Sequence, residues 1–241
     1  MPQAPKKPYL QGELETKKFD ARREPYWGAI NRILEMGYDP ADLIHHAPAF
    51  AGELNLGRFL ALYEAYKLAL PVMGHIAEAG VYIGSGTLFF AKLARLFEPA
   101  SNTLVFGFDW FEGSAIDETH VEEGAYFEPA ERVRELVSVQ GLDDIVRITQ
   151  LDLSKDLTGF FEEHPHLQFK LVFLDCGIYP TTKHCIEHFW PRLTPGGILV
   201  LDNYNHEAAP GETRAVQELL PDQKIRAFSF AFMASAYIIK E

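Results

Sequence analysis

The sequence predicts an α/β protein: a doubly wound, mostly parallel seven-stranded sheet with a C-terminal antiparallel hairpin, preceded by N-terminal helices. Three observations carry that prediction. Short apolar runs alternate with segments of helical period from residue 76 onward, the pattern of a parallel sheet covered on both faces. A glycine-bearing stretch, HIAEAGVYIGSGTLFF at 75–90, joins the first of these runs to a helix. Each of the five expected parallel strands closes with or beside an acid, namely Glu78, Asp109, Asp152, Asp175 and Asp202.

In chain order, residues 1–22 are polar, carry Pro2, Pro5 and Pro8, and are expected to form a tail or arm. Trp27, Ile30, Ile33 and Leu34 suggest a helix over 25–36, and Phe59, Leu60, Tyr63, Tyr66 and Leu70 suggest another from residue 57. Both precede the first strand, so they are expected to cover the mouth of a site or to form a subunit contact in a homo-oligomer. Residues 1–55 are accordingly assigned to a tail and helical lid or contact region, and 56–241 to the main domain.

A strand at 76–79 enters the glycine turn, and the helix that leaves it continues over 88–97, with Pro99 helping to end it. The second strand, 104–108, closes at Asp109. The stretch 112–128, with glycines, acids and His120, reads as a long loop of the kind that often serves as a lid or binding element. A helix over 131–139, a strand over 145–151 before Asp152, and a short helix over 155–164 follow. The most emphatic strand is 169–174, before Asp175. A helix over 181–193, a turn at 194–197 and a fifth strand at 198–201 lead to Asp202, and 226–230 with 236–239 form the hairpin.

Composition narrows the function classes. The chain has 241 residues, 47% hydrophobic and 23% charged, enough for one large core. Its net charge of −12, without a Lys/Arg cluster beyond short pairs, argues against nucleic-acid binding. No long apolar run marks a membrane span or a secretory leader. Cys176 and Cys185 fit neither a disulfide framework nor a C-x-x-C motif and are expected to be buried thiols in a reducing cytoplasm.

The turn favours one ligand chemistry. Its pattern, E-x-G-x-x-x-G-x-G from Glu78 through Gly80, Gly84 and Gly86, fails the G-x-G-x-x-G test for a dinucleotide and adds a carboxylate where a pyrophosphate would be repelled. S-adenosyl-L-methionine carries a cationic sulfonium and ammonium and suits an acidic strand end. Asp109 lies 23 residues beyond Gly86, near the offset at which an acid meets a ribose diol. A purely structural strand-to-helix turn stays open on this stretch alone.

The stretches EAGVYIGSG, FGFDWFEGS, LVFLDCGIYPTTK, LTPGGILVLDNY and PGETRAVQEL together resemble the class I S-adenosylmethionine-dependent methyltransferases, and among them the macrocin O-methyltransferase family that methylates deoxysugar hydroxyls. The likeness covers roughly 56–240. It implies that Glu78, Gly80 and Gly84, with Ser85, hold the methionyl part, that Asp109 holds the ribose, and that Asp152 and its neighbours meet the adenine edge. Ser114 and Asp175 join the cofactor contacts it implies. Asp175, Asp202 and Asn203 fall at the family's divalent-metal position and are also similar to the Asp-Asp-Asn set of catechol O-methyltransferases. These are hard oxygen donors suited to Mg²⁺.

One departure stands out. Where the sugar-methylating family usually has D-x-D, this chain has Asp175-Cys176-Gly177, and Ile178 stands where the catechol enzymes carry a lysine. The general base is therefore sought elsewhere, in His206 first and His120 second. The expected reaction is methyl transfer from the sulfonium to a hydroxyl held near Asp175 and assisted by Mg²⁺. The acceptor is expected to be a sugar, with a catechol-like phenol as the alternative, and Trp110, Phe111, Tyr126 and Phe127 are available to stack on either ring. A non-catalytic cofactor-binding protein is the competing reading of another class. An NAD-type oxidoreductase is disfavoured by the glycine spacing.

Overall fold

Strands form where apolar side chains alternate between two covered faces. In the computed structural model, which describes residues 17–113, 126–206 and 209–241, β1 (His75–Ala79), β2 (Val105–Asp109), β3 (Val146–Gln150), β4 (Phe169–Leu174) and β5 (Leu193–Leu201) run parallel. β7 (Ala236–Ile239) lies antiparallel between β5 and β6 (Ile225–Ala227). The sheet order is β3-β2-β1-β4-β5-β7-β6. Chain direction along the sheet reverses between β1 and β4, which makes that junction the crevice where open α/β sheets take ligands.

The helices are α1 (Lys17–Glu35), α2 (Pro40–His45), α3 (Ala47–Phe50), α4 (Glu53–Ala69), α5 (Ser85–Phe97), α6 (Ala130–Val139), α7 (Leu157–Glu163), α8 (Tyr179–Arg192) and α9 (Pro210–Leu219). On one face Ala77, Phe108, Val172, Leu174 and Leu199 meet Phe161 of α7, Phe189 of α8 and Val216 of α9. On the other, Ile76, Val105, Leu171, Phe173 and Val200 meet Leu62 and Tyr66 of α4, Phe90 of α5 and Val137 of α6. Each large apolar side chain fully buried this way stabilises the fold by about 1.5–3 kcal/mol relative to exposure. Among the described residues no helix is long and apolar enough to cross a membrane.

Four differences from the sequence-based expectation have physical causes. α4 begins at Glu53 rather than at residue 57, with Gly52 ahead of it leaving room for the Tyr26 ring, which a Cβ would strike at 2.0 Å. The expected turn at 194–197 is part of β5: Leu193 pairs with Phe169, and the irregularity is absorbed between Phe169 and Leu171. α9 was not foreseen as an element, although Pro at its first turn and buried Ala215 and Val216 mark it. Cys185 is buried as expected, whereas Cys176 is only half-buried because it follows Asp175 onto the sheet rim. α2 and α3 bury none of their side chains.

Candidate active site

The glycine turn is shaped by contacts within the chain. Gly80 has φ of +94°, and a Cβ there would lie 2.1 Å from the carbonyl oxygen of Asp175. The missing side chain at this position serves a close approach of β1 to β4. Gly84 caps α5 in the left-handed conformation, with no side chain capping the helix, and Ser85 opens the helix exposed to solvent. Gly86 makes room for Glu78, since a Cβ would sit 2.0 Å from Glu78 Oε1.

Glu78 is fully buried and accepts a hydrogen bond from Thr87 Oγ1. Burial is the main reason its carboxyl is pushed up to about 8; Asp175 adds to the rise, and Thr87 and Arg58 oppose it. Asp109 closes β2 and ties the turn down. Its Oδ2 accepts from the N–H groups of Val81 at 2.7 Å and Tyr82 at 3.0 Å, and its Oδ1 from Phe111 N–H at 2.8 Å. A carboxylate accepts about four hydrogen bonds, so one acceptor position remains open. Val81, Phe111, Ala130 and Val133 pack together under this turn.

Across the crevice, Asp175 and Asp202 follow β4 and β5 directly. One guanidinium joins them: Arg58 of α4 donates from Nη2 to Asp175 Oδ2 and from Nη1 to Asp202 Oδ1, each at 2.5 Å. Its carbon lies 5.2 Å from the centre of the Phe173 ring. The Asp175 side chain is 27% exposed and that of Asp202 is fully buried. Burial holds the Asp202 carboxyl well above the usual range; Arg58 counters this and neighbouring Asp175 adds to it. Asn203 turns its Nδ2 to Asp202 Oδ2 at 3.3 Å, leaving its buried Oδ1 without a hydrogen-bond partner. Its backbone N–H donates to Glu212 Oε1 at 2.9 Å, so α9 brings a further buried acid to the group. A Cβ at Gly177, where a second acid was looked for, would stand 3.5 Å from Asn203 Nδ2.

The acids differ in what holds them. Asp152 lies two residues past β3 and is engaged by its own loop, accepting from Ser154 N–H at 2.9 Å and Ser154 Oγ at 2.6 Å, with Lys155 Nζ at 2.9 Å. Glu78, Asp175 and Asp202 share Arg58 as a charged neighbour, whereas Asp152 is held by residues of the turn that follows it. His206 is buried just past Asn203, its ring 5.4 Å from that of Phe232. Ser114 and His120 fall outside the described residues. Sequence reasoning missed Arg58 and Glu212. Arg58 looked like any solvent-facing residue of an amphipathic helix, and only the acids it meets, more than a hundred residues on, give it away.

A second polar group lies elsewhere on the sheet's helical cover. His184, Glu187 and His188 cluster on α8, but both ring nitrogens of His188 are engaged, Nδ1 with the His184 carbonyl and Nε2 with Thr158 Oγ1, each at 2.9 Å.

A family described as a methyltransferase domain matches residues 77–204, just over half of the chain. The chain belongs to this methyltransferase-domain family. The match runs from β1 through the Asp202 turn, so it holds every strand-end acid discussed above and stops short of Arg58 on one side and Glu212 on the other. The domain is similar to the 8-demethyl-8-(2,3-dimethoxy-α-L-rhamnosyl)-tetracenomycin-C 4′-O-methyltransferase of Streptomyces olivaceus, with 30% identity over 157 residues, 58% of this chain and 57% of that one. It is also similar to the mycinamicin III 3″-O-methyltransferase of Micromonospora griseorubida, with 26% identity over 151 residues, 55% of this chain and 56% of that one. The chain thus spans a little over half the length of the curated relatives it matches. In three dimensions it superposes on CalS11, a calicheamicin methyltransferase, with a TM-score of 0.79 and 23% identity, covering 88% of this chain and 91% of that one. On the O-methyltransferase NovP the TM-score is 0.63 with 15% identity, covering 77% and 80%. These superpositions show that the methyltransferase domain has the Rossmann-like methyltransferase fold.

Proposed function

We propose that the chain is an S-adenosyl-L-methionine-dependent O-methyltransferase acting on a sugar hydroxyl. The observation that carries this reading is the partly exposed carboxylate of Asp175 at the β1/β4 crevice, beside the glycine turn, in a domain whose curated relatives are named for O-methylation and one of them for a rhamnosyl group.

The residues present suit the donor. The uncapped N–H groups that open α5 at Ser85 and Gly86 offer a place for the methionyl carboxylate. Asp109 has one acceptor position left for the ribose, and the loop of Asp152 follows the strand next to it, where the adenine edge is assigned. The acidic rim favours the cationic centre. When bound, S-adenosyl-L-methionine would supply an electrophilic methyl group, its methyl C–S bond breaking so that the electron pair stays on sulfur and S-adenosylhomocysteine leaves.

The residues do not suit a resident Mg²⁺. Asp175 and Asp202 are hard donors, but one oxygen of each is engaged by Arg58, whose guanidinium lies between them, and Asn203 presents its amide nitrogen instead of its oxygen to Asp202. No step is therefore assigned to Mg²⁺.

On the acceptor side, Asp175 is the group placed to work. Its carboxylate, steered by Arg58, accepts the hydrogen bond of the substrate hydroxyl, orients an oxygen lone pair toward the methyl group and takes the proton as the new C–O bond forms. His206, buried next to Phe232, stands behind it as the second candidate base. Asp175→Asn is expected to lower kcat by about 10²–10⁴ while cofactor affinity changes little. The test of the whole reading is transfer of labelled methyl from S-adenosyl-L-methionine to free and nucleotide-linked deoxysugars, with catechol in parallel. Turnover of catechol alone would move the acceptor to a phenol, and transfer to neither class would remove the activity.

A further inference from the structure

We infer that Arg58 is the resident cation of this site, occupying the place between Asp175 and Asp202 that a divalent ion would need, so that the domain binds no divalent ion there while Arg58 is present. The inference concerns the cation alone and does not depend on which hydroxyl is methylated.

Geometry supplies the first support. A guanidinium is a planar fork that donates parallel hydrogen bonds to carboxylate oxygens, and here its two terminal nitrogens reach two different carboxylates at 2.5 Å each. A metal ion between the two carboxylates would compete with Arg58 for this space and for one oxygen of each acid. The side chain is also braced from below, its carbon 5.2 Å from the ring centre of Phe173, which precedes Leu174 at the end of β4.

The donor inventory supplies the second. A divalent ion of the Mg²⁺ type is held by carboxylates together with water or substrate oxygens. Of the three candidate ligands, two are engaged by Arg58 and the third has its oxygen turned from Asp202. Gly177 adds no acid, and Glu212 gives Oε1 to the backbone N–H of Asn203 while its Oε2 is buried without a hydrogen-bond partner.

The origin of Arg58 supplies the third. It is carried by α4, whose Ala61, Leu62, Ala65, Tyr66 and Ala69 are fully buried against the sheet. The guanidinium thus arrives on a rigid element and not on a mobile loop. It acts on the reaction as a positioning residue, through Asp175.

The test uses the full chain, stripped of metal by a chelator, without substrate. Mg²⁺ is titrated by calorimetry and its effect on thermal unfolding is followed for the wild type, Arg58→Gln and Asp202→Asn. The expected result is no saturable Mg²⁺ heat in the wild type and a new saturable site in Arg58→Gln, accompanied by a rise in Tm. Saturable binding to the wild type below about 1 mM that Asp202→Asn removes would overturn the inference. So would a folded Arg58→Gln variant that gains no Mg²⁺ binding. If Arg58→Gln does not fold, the wild-type titration decides alone. A separate methyl-transfer assay with EDTA is expected to leave wild-type turnover unchanged, and loss of turnover restored by Mg²⁺ counts against the inference. Failure of the sugar assignment would leave these cation measurements as they are.

Discussion

Gly86 and Glu78 form one device, in which a missing side chain on α5 lets a carboxyl from β1 enter the protein interior. With Ala at 86 the Cβ would fall 2.0 Å from Glu78 Oε1, so the carboxyl must move or the helix must shift. Gly86→Ala is expected to cost about 1–3 kcal/mol of stability, the usual range for overpacking, measured by urea unfolding. Glu78 also sets a pH dependence. Burial raises its folded-state value to about 8, so between the unfolded-state value near 4.5 and about 8 the folded chain keeps a proton that the unfolded chain releases. Stability contributed by this group is present at low pH and declines as pH rises through that window. Glu78→Gln, neutral at every pH, is expected to flatten that part of the Tm profile between pH 5 and 8. An unchanged slope would show that Glu78 titrates normally. At this scale the sequence showed which acids end the strands but not what holds them. A lone arginine at helical spacing carries no mark of its partners, and the glycine spacing did not say that two of the glycines clear space for Asp175 and Glu78.

Strand β4 shows how an element accommodates a charge. Lys170 sits where the register shifts between Phe169 and Leu171, fully buried, with Nζ donating to Glu98 Oε2 at 2.5 Å and to Thr103 Oγ1 at 3.1 Å. Tyr66 of α4 donates its hydroxyl to the other Glu98 oxygen at 2.6 Å, so α4, α5's C-terminus and β4 are pinned together at the edge opposite the crevice. Removing one partner of a buried pair leaves the other uncompensated, and Lys170→Met is expected to cost about 3–5 kcal/mol in urea unfolding. Burial opposes ionisation of Glu98, but the bonds from Lys170 and Tyr66 outweigh it and hold its carboxyl below the usual range. The stability it contributes is present above the unfolded-state value and lost as pH falls through the lowered one. The gap between wild type and variant should therefore narrow below about pH 4. Elements of this kind were well legible in the sequence: 169–174 matches β4 at both ends, because a run apolar on both faces belongs to a central parallel strand. α9 was less legible because its apolar residues are few and Pro210 with Gly211 resembles a turn.

Over the whole molecule, the sheet order places one crevice between β1 and β4, with the glycine turn on one side and Asp175 on the other. S-adenosylhomocysteine is expected to bind there and NADH is not. At about 100-fold above its Kd the homocysteine compound should raise the unfolding free energy by about 2.7 kcal/mol, visible as a Tm shift that NADH does not produce. The class of fold was legible from alternating apolar runs, since that pattern has few packing solutions. The convergence of side chains from α4, β4, β5 and α9 was not, because it is set by how helices lie on the sheet and leaves no local spacing to count.

Arg58 lies ahead of the family-matched stretch 77–204, yet it bonds two carboxylates in that stretch's C-terminal part. A chain trimmed to start at His75 would retain every strand and every acid of the crevice while losing the only group bonded to both Asp175 and Asp202 among the described residues. The sheet by itself is therefore an incomplete electrostatic unit, left with a buried Asp202 carboxyl beside Asp175 and no cation to favour its ionised form. Attempts to borrow this core for a chimaera must bring α4 along, or supply a replacement cation from the new host.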